Sequence, residues 1–257
     1  MAVEVLAYTE INNLKYCRMV ENPKFSVVVA TYNCGNMVRE TIESFAHQTY
    51  KNKELVIIDG GSDKETLSIL DDYRDVISIF ISEPDNGIYD AMNKGLKHAN
   101  GDFLIFMGSD DHFVSYDTLE RVSRHIEDEN MVYYGDIWRP LDNDIYCGKY
   151  YKYKLAVKNI SHQAIFYPKA VYKQKEYTLK YKIMGDYAYN ISLWPNHQFE
   201  YIREPITFIS QHGLSSVEKD DLFEKDRRSL VCSYLGVGAY VYASIYHFLR
   251  NLVKGKQ

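Results

Sequence analysis

From Phe25 onwards, short apolar runs alternate with stretches whose apolar positions recur every three or four residues. Phe25-Ser26-Val27-Val28-Val29-Ala30 is rich in β-branched residues, the pattern of a strand covered on both faces. It stops at Thr31-Tyr32-Asn33, and the spacing predicts a helix from about Asn36 to His47. Leu55-Val56-Ile57-Ile58 predicts a second strand, closed by Asp59-Gly60-Gly61-Ser62. A helix over about Lys64 to Tyr73 leads to a third strand over Ile77 to Ile81. Ile88, Met92, Leu96 and Ala99 then fall at helical spacing, ahead of a fourth strand, Phe103-Leu104-Ile105-Phe106. Strands separated by helices need crossover connections, so the pattern predicts an α/β fold with a mostly parallel sheet and helices on both faces.

Beyond Asp136 the pattern loosens. Tyr146 to Lys154 reads as a loop or an edge strand, and Ser161 to Tyr167 as a strand stopped by Pro168. Asp186 to Leu193 fits a helix ended by Trp194-Pro195, Ile206 to Ile209 fits a strand, and from about Glu218 the chain turns helical to its end. No internal repeat or low-complexity linker divides it. The expected organisation is an N-terminal extension over 1–24, one domain over 25–217 in two halves (25–111 and 112–217), and a helical tail over 218–257.

Composition narrows the function classes. With 257 residues, 46% hydrophobic and 25% charged, the chain is long and apolar enough to bury a sizeable core. A net charge of −5, with both signs interspersed, supplies no basic field for nucleic acid. Cys17, Cys34, Cys147 and Cys232 lie too far apart for a zinc motif or a disulfide framework. Met1 to Asn22 has early acidic residues and no long apolar run, so it is not a secretory signal, and a cytoplasmic setting is expected. The 24 Tyr suit sugar faces, interfaces or an ordinary core equally well.

The polar signals sit where strands end: Thr31, Asn33, Asp59, Glu83, Asp85, Asp110 and Asp111 each follow a predicted strand. Ligands of open α/β sheets bind at that edge. In Asp59-Gly60-Gly61-Ser62 the glycines let the backbone approach a ligand while the carboxylate accepts from a base or ribose; a plain capped turn fits equally. Asp110 and Asp111 directly after an apolar strand repel each other unless solvated or neutralised, which points to Mg²⁺ or Mn²⁺ held with a substrate diphosphate. A solvated acidic turn before a helix near Asp117 is the plain alternative. No GxGxxG or GxxxxGK[ST] is present, which removes the main support for a dinucleotide or P-loop reading.

Val29-Ala30-Thr31-Tyr32-Asn33, Ile58-Asp59-Gly60-Gly61-Ser62, Asn93-Lys94-Gly95 and Phe106-Met107-Gly108-Ser109-Asp110-Asp111, in that order, resemble the nucleotide-binding half of family-2 glycosyltransferases with the Rossmann-like GT-A fold. With Glu83-Pro84-Asp85-Asn86-Gly87-Ile88-Tyr89-Asp90-Ala91-Met92 they look like the subgroup of bacterial O-antigen and capsule clusters. The resemblance implies an inverting transferase that moves a sugar from a nucleotide diphosphate donor, UDP by family weight, to a hydroxyl of a lipid-linked glycan. It implies that Thr31, Tyr32, Asn33, Asp59, Asp85, Asn93 and Ser109 line the donor pocket, with Asp59 on the base. Asp110 stands at the metal-binding position of the DxD motif, with Asp111 beside it. Two residues depart from the pattern: Gly60 replaces the second Asp of the DDGS turn, and Gly108 the first Asp of DxD, where Asp111 or Asp85 would have to compensate. Met184-Gly185-Asp186-Tyr187 matches the ED signature whose Asp is the catalytic base, Gly185 standing where Glu is common; read from its residues alone, Asp186 is a helix N-cap. Ser161-His162-Gln163 matches an acceptor-side motif, and His212 of Gln211-His212-Gly213 lies where some GT-A enzymes supply a late metal ligand.

Ser229 to Leu249 contains no Asp, Glu, Lys or Arg, while Arg227 and Arg228 precede it and Arg250, Lys254 and Lys256 follow. Its Ser, Gly and Tyr content favours a helix lying in a membrane interface over one that crosses, and packing on the domain or in a homodimer fits as well. Two other functions stay open at this point: a nucleotidyltransferase, which lacks its basic phosphate loop, and a silent nucleotide-sugar-binding partner, to which Gly60, Gly108 and Gly185 lend support.

Overall fold

In the computed structural model, which describes residues 21–139, 144–146, 148–209 and 219–254, the first half alternates as its apolar pattern requires. Strands β1 (Phe25–Thr31), β2 (Lys53–Asp59), β3 (Ile79–Ser82) and β4 (Phe103–Met107) are joined through helices α1 (Met37–Ala46), α2 (Lys64–Asp72) and α3 (Ile88–His98). They pair in parallel in the order β3-β2-β1-β4. Val27 to Val29 and Leu55 to Ile58 are fully buried, which is why these strands show no polar alternation. The third strand starts later than Ile77, because the N–H groups of Val76 and Ile77 still bond the Tyr73 carbonyl at the end of α2.

The second half extends the same sheet. It contains β5 (His112–Phe113), α4 (Thr118–Ser123), β6 (Val132–Arg139), β7 (Asp144–Tyr146), α5 (Lys152–Val157), a 3₁₀ turn at His162–Ala164, β8 (Ile165–Pro168), α6 (Lys169–Tyr172), α7 (Gly185–Leu193) and β9 (Phe199–Phe208). The sheet order continues β4-β8-β6-β9-β5, with β7 on the edge of β6. Here β8 is antiparallel to both β4 and β6, and β6 and β9 are parallel. Tyr146 to Lys154 thus divides between the end of an edge strand and the start of a helix. The strand expected at Ile206 to Ile209 is only the end of β9, whose earlier part is broken in pattern by Arg203, at φ 54°, and Pro205.

Two apolar layers cover the sheet. α1, α2 and α4 supply one, with Val38, Ile42, Leu70, Leu119 and Val122. α3, α5 and α7 supply the other, which also takes in Phe223, Val231 and Leu235 of α8 (Asp221–Leu235) and Ala239 and Ala243 of α9 (Val237–Lys254). The tail is helical as expected but broken at Gly236, whose φ of 87° few other residues adopt. Tyr133, Tyr134, Tyr167 and Tyr172 are almost wholly buried, so a good part of the tyrosine content is core. Residues 1–20 of the extension predicted over 1–24, and the Gln211-His212-Gly213 motif with its candidate metal ligand His212, lie outside the described residues.

Candidate active site

The carboxyl ends of β1, β2 and β3 meet at Asp59. Its carboxylate has no exposed surface and accepts from Thr31 Oγ1 at 3.1 Å, Ser82 Oγ at 2.7 Å, the Gly61 and Ser62 N–H groups at 3.1 and 3.0 Å, and the Ser62 hydroxyl. Burial pushes this carboxyl up, but the bonds from Ser62, Ser82 and Thr31 outweigh it and hold it below the ordinary aspartate value. Asp59 therefore fixes three loops against one another. Asn33, at φ 47°, completes the clasp: its N–H bonds Ser62 Oγ at 2.9 Å and its side-chain oxygen accepts from the Asp63 N–H at 2.8 Å. Tyr32 is 66% exposed beside this turn. Asn93 stands apart: buried on α3, it commits both ends of its amide to the Tyr177 main chain, at 2.9 and 2.7 Å.

At the end of β4, Ser109 bonds the Cys34 side chain, whose thiol burial pushes up, and so ties this turn to the loop after β1. Asp111 is buried and accepts from the Gly108 N–H at 2.7 Å. Burial, then the charge of Asp110, push its carboxyl up to about 6, against the pull of the Gly108 N–H, His162 and Gln163. Two hard oxygen donors whose like charges repel suit a divalent cation, so Asp110 and Asp111 fit the pair that would hold one. Among the described residues no group of three or more His, Cys, Asp or Glu side chains comes together as a metal site.

Through His162 and Gln163 the acidic pair connects to the first turn of α7. There Asp186 Oδ2 accepts from Asn159 Nδ2 at 2.8 Å and faces His162 Nδ1 at 3.0 Å. Oδ1 accepts from the Tyr89 hydroxyl at 3.2 Å and the Tyr187 N–H at 2.8 Å. Asp186 sits within α7 rather than at its N-cap, which is Met184, so capping does not account for it. Asn159 and Tyr89 were not singled out by the sequence patterns. Tyr89 falls within Glu83–Met92, while no local pattern marks Asn159.

Gly60, Gly108 and Gly185 are the positions that depart from the pattern the sequence resembles, and the structure fills the space at each. A β-carbon at Gly60 would lie 2.5 Å from an Asp85 carboxylate oxygen, and one at Gly108 would lie 2.8 Å from Asp111 Oδ2. At Gly185 it would meet the Tyr89 ring at 2.7 to 2.9 Å. Asp85 thus closes over the Asp59–Ser62 turn and Tyr89 over the Asp186 turn.

Residues 26–193 match the family described as Glycosyl transferase family 2. The chain belongs to this family. It is 36% identical over 182 residues to a "PGL/p-HBAD biosynthesis glycosyltransferase" of Mycobacterium bovis, an alignment covering 68% of this chain and 71% of that protein. Its fold is shared by Staphylococcus aureus TarS 1-349 in complex with UDP-GlcNAc, with a TM-score of 0.62, 19% identity, and coverage of 82% of this chain and 71% of that one. A mannosyltransferase of Pyrobaculum calidifontis in complex with GDP-Man and Mn²⁺ gives a TM-score of 0.60 at 16% identity, covering 90% and 69% of the two chains. This glycosyltransferase has the GT-A architecture of those enzymes, a curled sheet whose parallel half carries helices on both faces. The match to a longer crystal structure of S. aureus TarS covers 43% of that chain.

Proposed function

We propose that this glycosyltransferase moves a sugar from a UDP-sugar to a hydroxyl of a lipid-linked glycan, in bacterial surface polysaccharide synthesis, with inversion at the anomeric carbon. One observation carries the reading: the Asp110–Asp111 pair and the buried, fourfold hydrogen-bonded Asp186 are linked through Gln163 and His162 at the carboxyl edge of the sheet. That arrangement offers separate acidic groups for the donor diphosphate and for the acceptor proton. The UDP and UDP-GlcNAc complexes of TarS support a uridine donor, and the name of the mycobacterial relatives supports a biosynthetic acceptor.

In this reading Thr31, Tyr32, Asn33, Ser109 and Asp85 line the donor pocket, and Asp59 holds its loops in place for the base. Asp110 and Asp111 would hold Mn²⁺ or Mg²⁺, which when bound supplies positive charge against the departing diphosphate. Asp186 removes the acceptor O–H proton as the new C–O bond forms, and the electron pair of the breaking bond leaves on the diphosphate. His162, Asn159 and Tyr89 hold that carboxylate in line, and the hydroxyl reaches it in place of one of these donors. Asp85 and Asp111, set where Gly60 and Gly108 leave room, support an active enzyme over a silent partner.

The test is UDP release from a panel of UDP-sugars with Mn²⁺, measured beside UDP affinity. Asp186→Asn should lower turnover by about 10²–10⁴-fold with little change in affinity. A variant that turns over at close to the parent rate would remove Asp186 from the role of base.

A further inference from the structure

A surface helix of a soluble domain normally turns its apolar side inward. α9 does the reverse. Ala239 and Ala243, two small residues, are its buried contacts with the rest of the protein. Val237, Val241, Ile245, Phe248 and Leu252, three or four residues apart and so on one face, are 49–66% exposed. Among the described residues nothing covers them. Tyr242 and Tyr246, 42% and 43% exposed, flank this stripe.

The neighbouring segment continues the surface. Tyr153 of α5 lies 5.4 Å, ring to ring, from Tyr242, and Tyr151 beside it is 54% exposed. Lys149, Lys152 and Arg250 are exposed around this rim. Residues 148–158 and 229–254 contain no Asp or Glu at all. An apolar stripe edged by tyrosines and then by Lys149, Lys152 and Arg250, with Glu224 paired to Arg227 beside His247, matches the depth profile of an anionic lipid surface. A second copy of the chain fits less well, because a two-fold contact would set the same cationic rim against itself. No helix among the described residues is long and apolar enough to cross a membrane, so such a helix would lie along the surface.

The surface adjoins the acceptor side of the site. The Tyr187 hydroxyl bonds the Leu155 carbonyl of α5 at 2.6 Å, and Asn159, just past α5, holds Asp186. We infer that the outer face of α9, with the Tyr/Lys rim of α5, docks on an anionic bilayer and presents the Asp186 side of the site at headgroup level. Its purpose rests on the transferase reading above; the docking itself does not.

The experiment is co-flotation of the full chain with vesicles of phosphatidylcholine, with and without phosphatidylglycerol, at low salt. The parent should float with the anionic vesicles and far less with the neutral ones. Lys149→Gln with Lys152→Gln should weaken partition about 25-fold, at roughly fivefold per basic residue. Ile245→Gln with Phe248→Gln should abolish flotation while the circular dichroism spectrum and melting temperature stay at parent values, as these side chains make few contacts in the fold. Equal flotation on both vesicles, or none on either, would overturn the inference. So would a stable dimer in sedimentation that Phe248→Gln dissociates, which would give the face to a second copy. No donor or acceptor enters the assay, so a failure of the transferase reading would leave its outcome unaffected.

Discussion

Gly185→Ala adds one methyl group and should nevertheless damage both stability and turnover. The added carbon would lie 2.7, 2.8 and 2.9 Å from three carbons of the Tyr89 ring. Carbon atoms rest at about 3.5–4.0 Å, so the ring must retreat by about 0.8 Å. It has little room: Tyr89 is buried, stacks on Tyr177 at 5.5 Å between centroids, and anchors its hydroxyl on the Ile183 carbonyl and Asp186. Overpacking of this kind costs about 1–3 kcal/mol. Replacing a helical glycine returns at most about 1 kcal/mol, and less in the first turn. The expected net loss is about 1–2 kcal/mol, or a fall of roughly 2–4 °C in melting temperature for a chain of this size. Turnover should fall as well, since the retreating hydroxyl releases one side of Asp186. Thermal unfolding followed by circular dichroism measures the first effect, and UDP release the second. Tyr89→Ala in the same chain removes the clash, so the double variant should be less destabilised than the sum of the two singles. A Gly185→Ala protein that melts at or above the parent temperature would refute the claim that the Tyr89 ring is fixed there.

Two further substitutions separate donor chemistry from architecture. Asp110→Ala should abolish Mn²⁺-dependent UDP binding in calorimetric titration while unfolding changes by no more than about 0.5 kcal/mol, the range for a residue outside the core; undiminished affinity would take Asp110 out of the donor site. Asp220 accepts the Ile183, Met184 and Phe223 N–H groups at 2.9, 3.2 and 3.1 Å, and although burial pushes its carboxyl up, these bonds hold it below the ordinary value. The stability it supplies is therefore complete above the unfolded aspartate range and is lost as pH falls through the lower, folded value. Asp220→Asn should lower the urea midpoint most at neutral pH, with the gap to the parent closing in acid; a gap that is constant with pH would argue against an ionised cap.

What the chain's pattern revealed depends on how each strand is buried. β1, β2 and β4 announce themselves because both faces are covered and Val, Ile and Leu fill both. β6 does not, since Tyr133, Tyr134 and Asp136 interrupt it, and these polar groups find partners only in the folded chain. The Tyr134 hydroxyl accepts from the Tyr150 N–H at 2.7 Å, and Asp136 takes the Gly148 N–H at 2.7 Å and the Tyr201 hydroxyl at 2.6 Å. The site shows the same division. Asp59, Asp110 and Asp111 were legible from their place after apolar strands. Asp186 read as a cap until a family resemblance marked it, because its partners Asn159, His162 and Tyr89 come from three distant segments. Why Gly60 and Gly185 are tolerated was beyond any local reading, for the residues that occupy their space are Asp85 and Tyr89.

The packing of α8 bears on how the protein can be handled. Phe223 sits 5.2 Å from the Tyr187 ring and 5.5 Å from that of Tyr181, while Asp220 grips the main chain two and three residues ahead of Asp186. The helical pattern from about residue 218 invites a shortened version ending there, as if an appendage were being trimmed. Such a cut would uncover the rings beneath Phe223 and free the Ile183 and Met184 amides, so the shortened chain would lose the support of the Asp186 turn along with its tail. In amide exchange these segments should open as one unit, with Ile183, Met184 and Phe223 sharing a single protection level.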